Sequence, residues 1–296
     1  MSVVSFIDVE RFFGKTPALA GVNLELGEGV VYGLVGRNGA GKTTMLRMIP
    51  ALLHPTEGTV KVFGMDPWDH QEEIKKRLGY LAETDKYPGS LKIRDLIQLC
   101  SEVYPEWDQK MADGLLNEFG LNISKKTGAL SKGQQRQVGL ICAVCHRPRL
   151  LVLDEPAGGL DPVVRREFLE VVIDLLYESG STIIFSSHQF ADVERLATRV
   201  GILHQGKILV EREMDDFREN SCRALIRGDG IEETKLMEIQ NCIRVRKQED
   251  DFIATFTVNQ AEARDQISAK LGSQGDILEM QQVSLEDLFI DWTGNP

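Results

Sequence analysis

The stretch Gly29-Val-Val-Tyr-Gly-Leu-Val-Gly36-Arg-Asn-Gly-Ala-Gly41-Lys42-Thr43-Thr44-Met-Leu-Arg-Met-Ile49 decides the fold. Its opening run is continuously apolar, as in a strand buried on both faces, and its end places apolar residues at helical spacing until Pro50. Between them, Gly36 to Thr43 fits G-x-x-x-x-G-K-[ST] at every defined position, in the strand, loop and helix context that gives the pattern its meaning. Small residues let the backbone N–H groups of Arg37, Asn38, Gly39, Ala40 and Gly41 curl round phosphate oxygens. The helix start, with Thr44 in its first turn, adds partial positive charge. Lys42 is then placed to reach β- and γ-phosphates, and the Thr43 hydroxyl to ligate Mg²⁺. The expectation is a nucleoside triphosphate bound with magnesium.

Working outward, the N-terminal stretch alternates apolar and polar residues and passes Gly14 and Gly21 into Val22-Asn-Leu-Glu-Leu26, which predicts further strands. Gln71 to Leu78, Ile93 to Tyr104 and Asp108 to Phe119 predict helices, giving a mainly helical insertion at about 84–145. Leu150 to Leu153 and Thr182 to Phe185 are again short apolar runs of the kind buried on both faces of a sheet, separated by a helix predicted over Val163 to Ser179. Strands alternating with helices predict an α/β core. Gly201 to Leu209 predicts a hairpin and Asp215 to Asn220 a short helix, which places a domain boundary between 1–216 and 217–296. In the second part the predicted order is strand (Cys222 to Ile226), helix (Glu232 to Ile239), two strands (Ile243 to Gln248, Phe252 to Val258), helix (Gln260 to Leu271) and strand (Asp276 to Val283). That β-α-β-β-α-β order predicts a small ferredoxin-like α+β module.

The apolar strand Leu150 to Leu153 delivers Asp154 and Glu155 at its end, where open α/β sheets bind their ligands. Asp154 suits Mg²⁺ through a water, and Glu155 is placed as general base or orienter for an attacking water. Ser131-Lys-Gly-Gln134 has capping-box spacing, and a Ser and Gly at a helix start also offer oriented N–H groups to a phosphate. Cys142-Ala-Val-Cys145-His146 matches a haem-attachment or redox spacing, but it lies in an apolar helical stretch with no second C-x-x-C pair, so buried thiols are expected. Five sparse cysteines give no disulfide framework. The net charge of −11 excludes bulk attraction to nucleic acid or an anionic membrane surface. No apolar run approaches the roughly 18 residues that a spanning helix needs, and the N-terminus lacks a targeting pattern, so a cytoplasmic chain is expected.

Taken together, these motifs resemble those of the nucleotide-binding subunit of an ABC transporter. Leu130-Ser-Lys-Gly-Gln134 resembles the family's signature sequence, Gly159-Leu-Asp-Pro162 its D-loop, and His188 its switch histidine. The resemblance covers about residues 1–216 and implies a P-loop NTPase core of ABC ATPase type with a helical subdomain. It also implies a head-to-tail dimer, homo- or heterodimeric, with each ATP between the P-loop of one copy and the signature of the other. On that reading Phe13 stacks on adenine, Ser131, Gly133 and Gln134 contact the γ-phosphate in trans, Asp161 organises the interface, and His188 contacts the γ-phosphate and water. Glu83 stands where many members carry the glutamine of the Q-loop; it remains an oxygen ligand for Mg²⁺ but adds negative charge. Lys132 replaces a commoner glycine, and Ala157 a commoner Ser or Thr.

Ser284-Leu-Glu-Asp-Leu-Phe289 and Tyr104-Pro-Glu-Trp-Asp108 resemble segments of the bacterial drug-exporter subfamily. That likeness implies ATP hydrolysis that energises export by a separate integral membrane permease, with the chain peripheral on the inner face of the membrane. Residues Tyr87 to Leu91 lie in the region where the family receives the permease's coupling helices. Soluble relatives that serve ribosomes or DNA carry two cassettes or a long coiled-coil interruption, and neither is present between Gly36 and His188. A small-molecule P-loop kinase would leave Leu130 to Gln134 and Asp161 unexplained. No nucleic-acid partner is expected, and the 217–296 module is expected to support dimerisation or regulation.

Overall fold

In the computed structural model, which describes residues 2–84, 87–228 and 231–294, two long strands, β1 (Ser2–Phe13) and β2 (Thr16–Gly27), pair antiparallel. β3 (Val31–Val35) follows and leads through 36–41 into the short helix α1 (Lys42–Leu46). β4 (Glu57–Val62) pairs with the free edge of β1, completing a three-stranded antiparallel sheet in the order β2-β1-β4. Its alternating apolar residues, Val4, Phe6, Leu24, Leu26, Val60 and Val62 among them, are buried in one core with Met45, Leu46 and Ile49 of the α1 region. The alternation seen in the sequence is therefore that of a sheet with one face covered.

A helix α2 (Gln71–Lys75) precedes β5 (Leu78–Leu81), and helices α3 (Ile93–Val103), α4 (Gln109–Glu118) and α5 (Lys132–Val144) form the insertion. The parallel elements then return as β6 (Leu150–Leu153), α6 (Pro162–Ser179), β7 (Thr182–Ser187), α7 (Phe190–Leu196) and β8 (Arg199–His204). β9 (Lys207–Glu213) doubles back through the turn Gln205-Gly206, where both residues have positive φ. The six strands lie in the order β5-β6-β7-β3-β8-β9, with β5, β6, β7, β3 and β8 parallel along their ladders. Every residue of β3, β6 and β7 is buried, which is why β3, β6 and the Ile183 to Phe185 part of β7 read as apolar runs.

One expected helix is corrected. Gln71 to Leu78 is not helical throughout: α2 stops at Lys75, and Leu78 opens β5, paired in parallel register with Leu150. Gly79 is what admits the strand there, because a Cβ at that position would stand 2.1 Å from the carbonyl oxygen of Ala143 on α5. The strand thus lies against a helix backbone at a distance only glycine allows.

Two compact units divide the chain, Met1–Glu211 and Arg212–Pro296. The second contains α8 (Met214–Glu219), β10 (Cys222–Arg227), α9 (Glu233–Met237), β11 (Cys242–Gln248), β12 (Asp251–Phe256), α10 (Gln260–Leu271), β13 (Asp276–Gln282) and α11 (Leu285–Thr293). Its antiparallel sheet has the order β11-β12-β10-β13, the arrangement of the ferredoxin-like module. Apolar residues of one sheet face, such as Ala224, Ile226 and Phe256, form a core with Leu236 of α9 and Ile267 and Leu271 of α10. α11, capped by Ser284 and pinned through the buried Asp291 to Arg223, Arg246 and Thr255, was not expected from the periodicity.

Candidate functional site

β3 ends at Val35, and the chain then turns tightly into α1, with Ala40 N–H donating to the Arg37 carbonyl at 3.1 Å. Gly41 caps α1 at φ 111°, and a Cβ there would lie 2.4 Å from the Ala18 carbonyl oxygen, so only glycine closes this loop. Lys42 is buried. Its Nζ donates to the Gly36 carbonyl at 2.7 Å and lies 3.3 Å from Glu155 Oε1.

The neighbouring strand end supplies the carboxylates. Asp154 is fully buried at the end of β6, and its Oδ1 accepts from Ser186 Oγ at 2.8 Å and Thr43 Oγ1 at 3.1 Å. Asp154 Oδ2 is buried without a hydrogen-bond partner. Burial pushes this carboxyl above the usual carboxylate range. Hydrogen bonds from Ser186 and Thr43 oppose that, while the charges of Glu83 and Glu155 reinforce it. Glu155 follows at φ 48°, a left-handed conformation that costs energy in a residue with a Cβ. Its Oε2 lies 2.7 Å from His188 Nδ1 and accepts the His188 backbone N–H at 3.3 Å. Lys42 and His188 therefore grip opposite oxygens of one carboxylate.

These groups open on a cavity of about 720 Å³. Of the residues singled out in the sequence, Phe13, Arg37 to Thr44, Glu83, Glu155 and His188 line it, with Asp154 buried below. Phe13 is half exposed at the cavity edge, with the Arg11 guanidinium over one face of its ring at 4.9 Å from the centre. Ser131, Gly133, Gln134 and Asp161 are not among the lining residues. The capping box is formed as spaced: Ser131 Oγ accepts from Gln134 N–H at 3.2 Å, and Gln134 Oε1 accepts from Ser131 N–H at 3.3 Å. Asp161 likewise caps α6, accepting from the N–H groups of Val163 and Val164.

Sequence reasoning missed Lys132, Gln135 and Arg136 as lining residues. Gln135 and Arg136 follow Lys132 by three and four residues, which puts them on one face of α5, but only the tertiary fold turns that face to the P-loop. The C-x-x-C-H segment ends α5. Burial pushes the Cys145 thiol up to about 12, far from the thiolate that metal or haem chemistry uses.

The family model described as "ABC transporter" matches residues 19–158. The chain is 30% identical to the bacitracin transport ATP-binding protein BcrA of Bacillus licheniformis, over 99% of this chain and 98% of that one. It is 32% identical to an uncharacterized ABC transporter ATP-binding protein, YhaQ, of Bacillus subtilis (strain 168), over 97% of each. A solved ATP-binding subunit of an ABC transporter superposes with a TM-score of 0.66 at 27% identity, covering 73% of this chain and 92% of that one. A bacterial ABC transporter cassette solved as a dimer superposes with a TM-score of 0.64 at 25% identity, covering 71% and 98%.

Proposed function

This chain belongs to the ABC transporter family and is an ATP-binding, ATP-hydrolysing subunit; from that premise we propose that it powers export through a separate membrane permease by closing a dimer around two ATP molecules. The observation that carries the hydrolytic reading is the grip on Glu155, with Lys42 on one carboxylate oxygen and His188 on the other beside the P-loop. Likeness to a bacitracin transport protein along nearly the whole chain supports export. Among the described residues no helix is long and apolar enough to cross a membrane, and the proposal assigns the pathway for cargo to the permease.

In this mechanism the loop from Gly36 to Thr44 wraps the phosphates, the adenine stacks on Phe13, and Lys42 leaves Glu155 to reach the β- and γ-phosphates. Glu155, still held by His188, takes the proton of the attacking water as general base. The orphaned, buried Asp154 Oδ2 beside the Thr43 hydroxyl fits a hydrated divalent cation, with Glu83 as a further oxygen donor at the cavity wall. When bound there, Mg²⁺ would neutralise phosphate charge. Ser131, Gly133 and Gln134 at the head of α5 meet the γ-phosphate of a second copy, and Asp161 orders the shared interface. Two identical copies closing this way form an isologous pair. The 217–296 module supports dimerisation or regulation of the 1–216 ATP-binding domain.

The test is Glu155→Gln in the full chain. Turnover should fall by at least about 10²-fold, the scale of a lost general base. With Mg-ATP the variant should elute as a stable dimer by light scattering, and from detergent-solubilised cells it should copurify a multispanning protein. Normal turnover would remove Glu155 as the base. A monomer at saturating Mg-ATP would overturn the closure step.

A further inference from the structure

Arg136 is only 8% exposed although it carries a full charge. It lies on α5, the helix that Ser131 caps. Its guanidinium donates to the carbonyl oxygens of Ala82 and Glu83, just beyond β5, and Nη2 lies 3.3 Å from the carbonyl oxygen of Glu155, just beyond β6. One planar fork therefore joins the signature helix to two strand ends. A lysine, with one compact ammonium, has no geometry for that span.

The Glu155 peptide needs such support. Its φ of 48° is unfavourable for a side chain with a Cβ, and its N–H is already fixed by Ser186 Oγ at 2.8 Å. Arg136 holds the carbonyl side of the same residue. The backbone that aims the carboxylate is thus pinned at both ends, once from β7 and once from α5.

We propose that Arg136 is a positioning residue that ties the placement of α5 to the Glu83 loop and to the Glu155 peptide. Seating a partner copy's nucleotide against Ser131 is thereby felt at the hydrolytic carboxylate of the same chain. The inference rests on the reading above, in which Ser131 meets that nucleotide and Glu155 activates water. Hydrogen bonds weaken steeply with misalignment, so a small shift of α5 redirects all three carbonyls.

The test compares Arg136→Gln, Arg136→Lys and Glu155→Gln in the full chain, reading steady-state ATPase and the affinity for a fluorescent ATP analogue. Both Arg136 variants should lower kcat at least about tenfold, since small misplacements of reacting groups are costly. Nucleotide affinity should stay within about threefold, about 0.65 kcal/mol at 1.4 kcal/mol per tenfold. Turnover within about twofold of wild type, or an equal loss of affinity and kcat, would overturn the assignment. If the Arg136 variants do not fold, hydrogen exchange on the Glu155→Gln chain decides. On adding Mg-ATP, amides from Ala82 to Thr84 should gain protection together with the first turn of α5, and protection of α5 alone would reject the link. Inactive Glu155→Gln with fully active Arg136→Gln rejects only the role of Arg136. Active Glu155→Gln rejects the hydrolytic reading and the inference with it.

Discussion

Replacing Lys42 by Ala should destabilise the nucleotide-free protein as well as weaken ATP binding, because the lysine is half of a buried ion pair. Lys42 Nζ lies 3.3 Å from Glu155 Oε1, with side chains 6% and 10% exposed. At an effective dielectric constant of about 20, that separation is worth about 5 kcal/mol of gross attraction. The net loss is smaller. His188 at 2.7 Å remains as a partner, so about 2–3 kcal/mol is expected. For a unit of this size that is a fall of roughly 4–12 °C in Tm. Calorimetry without nucleotide and with chelator measures it, since bound ATP would mask the effect by mass action. The double variant Lys42→Met with Glu155→Gln carries no unpaired charge and should recover most of the loss. If Lys42→Ala left Tm unchanged, or the two substitutions simply added to within about 0.5 kcal/mol, the pair would not exist in the resting protein.

Two further outcomes follow from the same kind of reasoning. Asp291→Ala removes the acceptor shared by Arg223, Arg246 and Thr255 under α11 and should cost the second unit about 2–3 kcal/mol, read in urea from the fluorescence of Trp292, which packs edge-on against Phe217. Unchanged stability there would mean that α11 is held by its apolar residues alone. Asp108 caps α4 through the Met111 N–H and pairs with Arg147, which together hold its carboxyl below the usual range. The depressed value means its contribution is present above the ordinary carboxylate range and is lost as pH falls through the folded-state value, so Asp108→Asn should make the acid limb of the stability curve shallower.

What could be read from the sequence follows from how local each feature is. The P-loop, the strand that feeds it and the Asp154-Glu155 pair are contiguous, and their chemistry is spelled in neighbouring residues. The capping box at Ser131 is equally local, and both of its bonds form. β5 was hidden because only Leu78 to Leu81 form it, directly after the charged run Lys75-Lys-Arg77, and its reason for being a strand is the backbone of α5 passing Gly79. Helix α11 was hidden because its buried Asp291 breaks the apolar stripe, and that charge makes sense only once Arg223 and Arg246 arrive from β10 and β11. Gln135 and Arg136 carry no motif of their own, and Lys132 stands in the signature only as a departure from its commoner glycine. What makes them part of the site is where α5 lies relative to β3.

The charges around the cavity explain why this site can be both acidic and receptive to a polyanion. Without ATP the Glu155 carboxylate is engaged by Lys42 and His188, and Asp154 Oδ1 accepts from the Ser186 and Thr43 hydroxyls. An arriving triphosphate therefore meets Glu155 already paired with a cation. In the proposed mechanism it takes Lys42 from Glu155, and the carboxylate released, still held by His188, is the one that accepts a proton. On that mechanism phosphate binding and activation of the base are one exchange of partners for the same ammonium group, so Lys42 and Glu155 should be coupled in stability as well as in turnover.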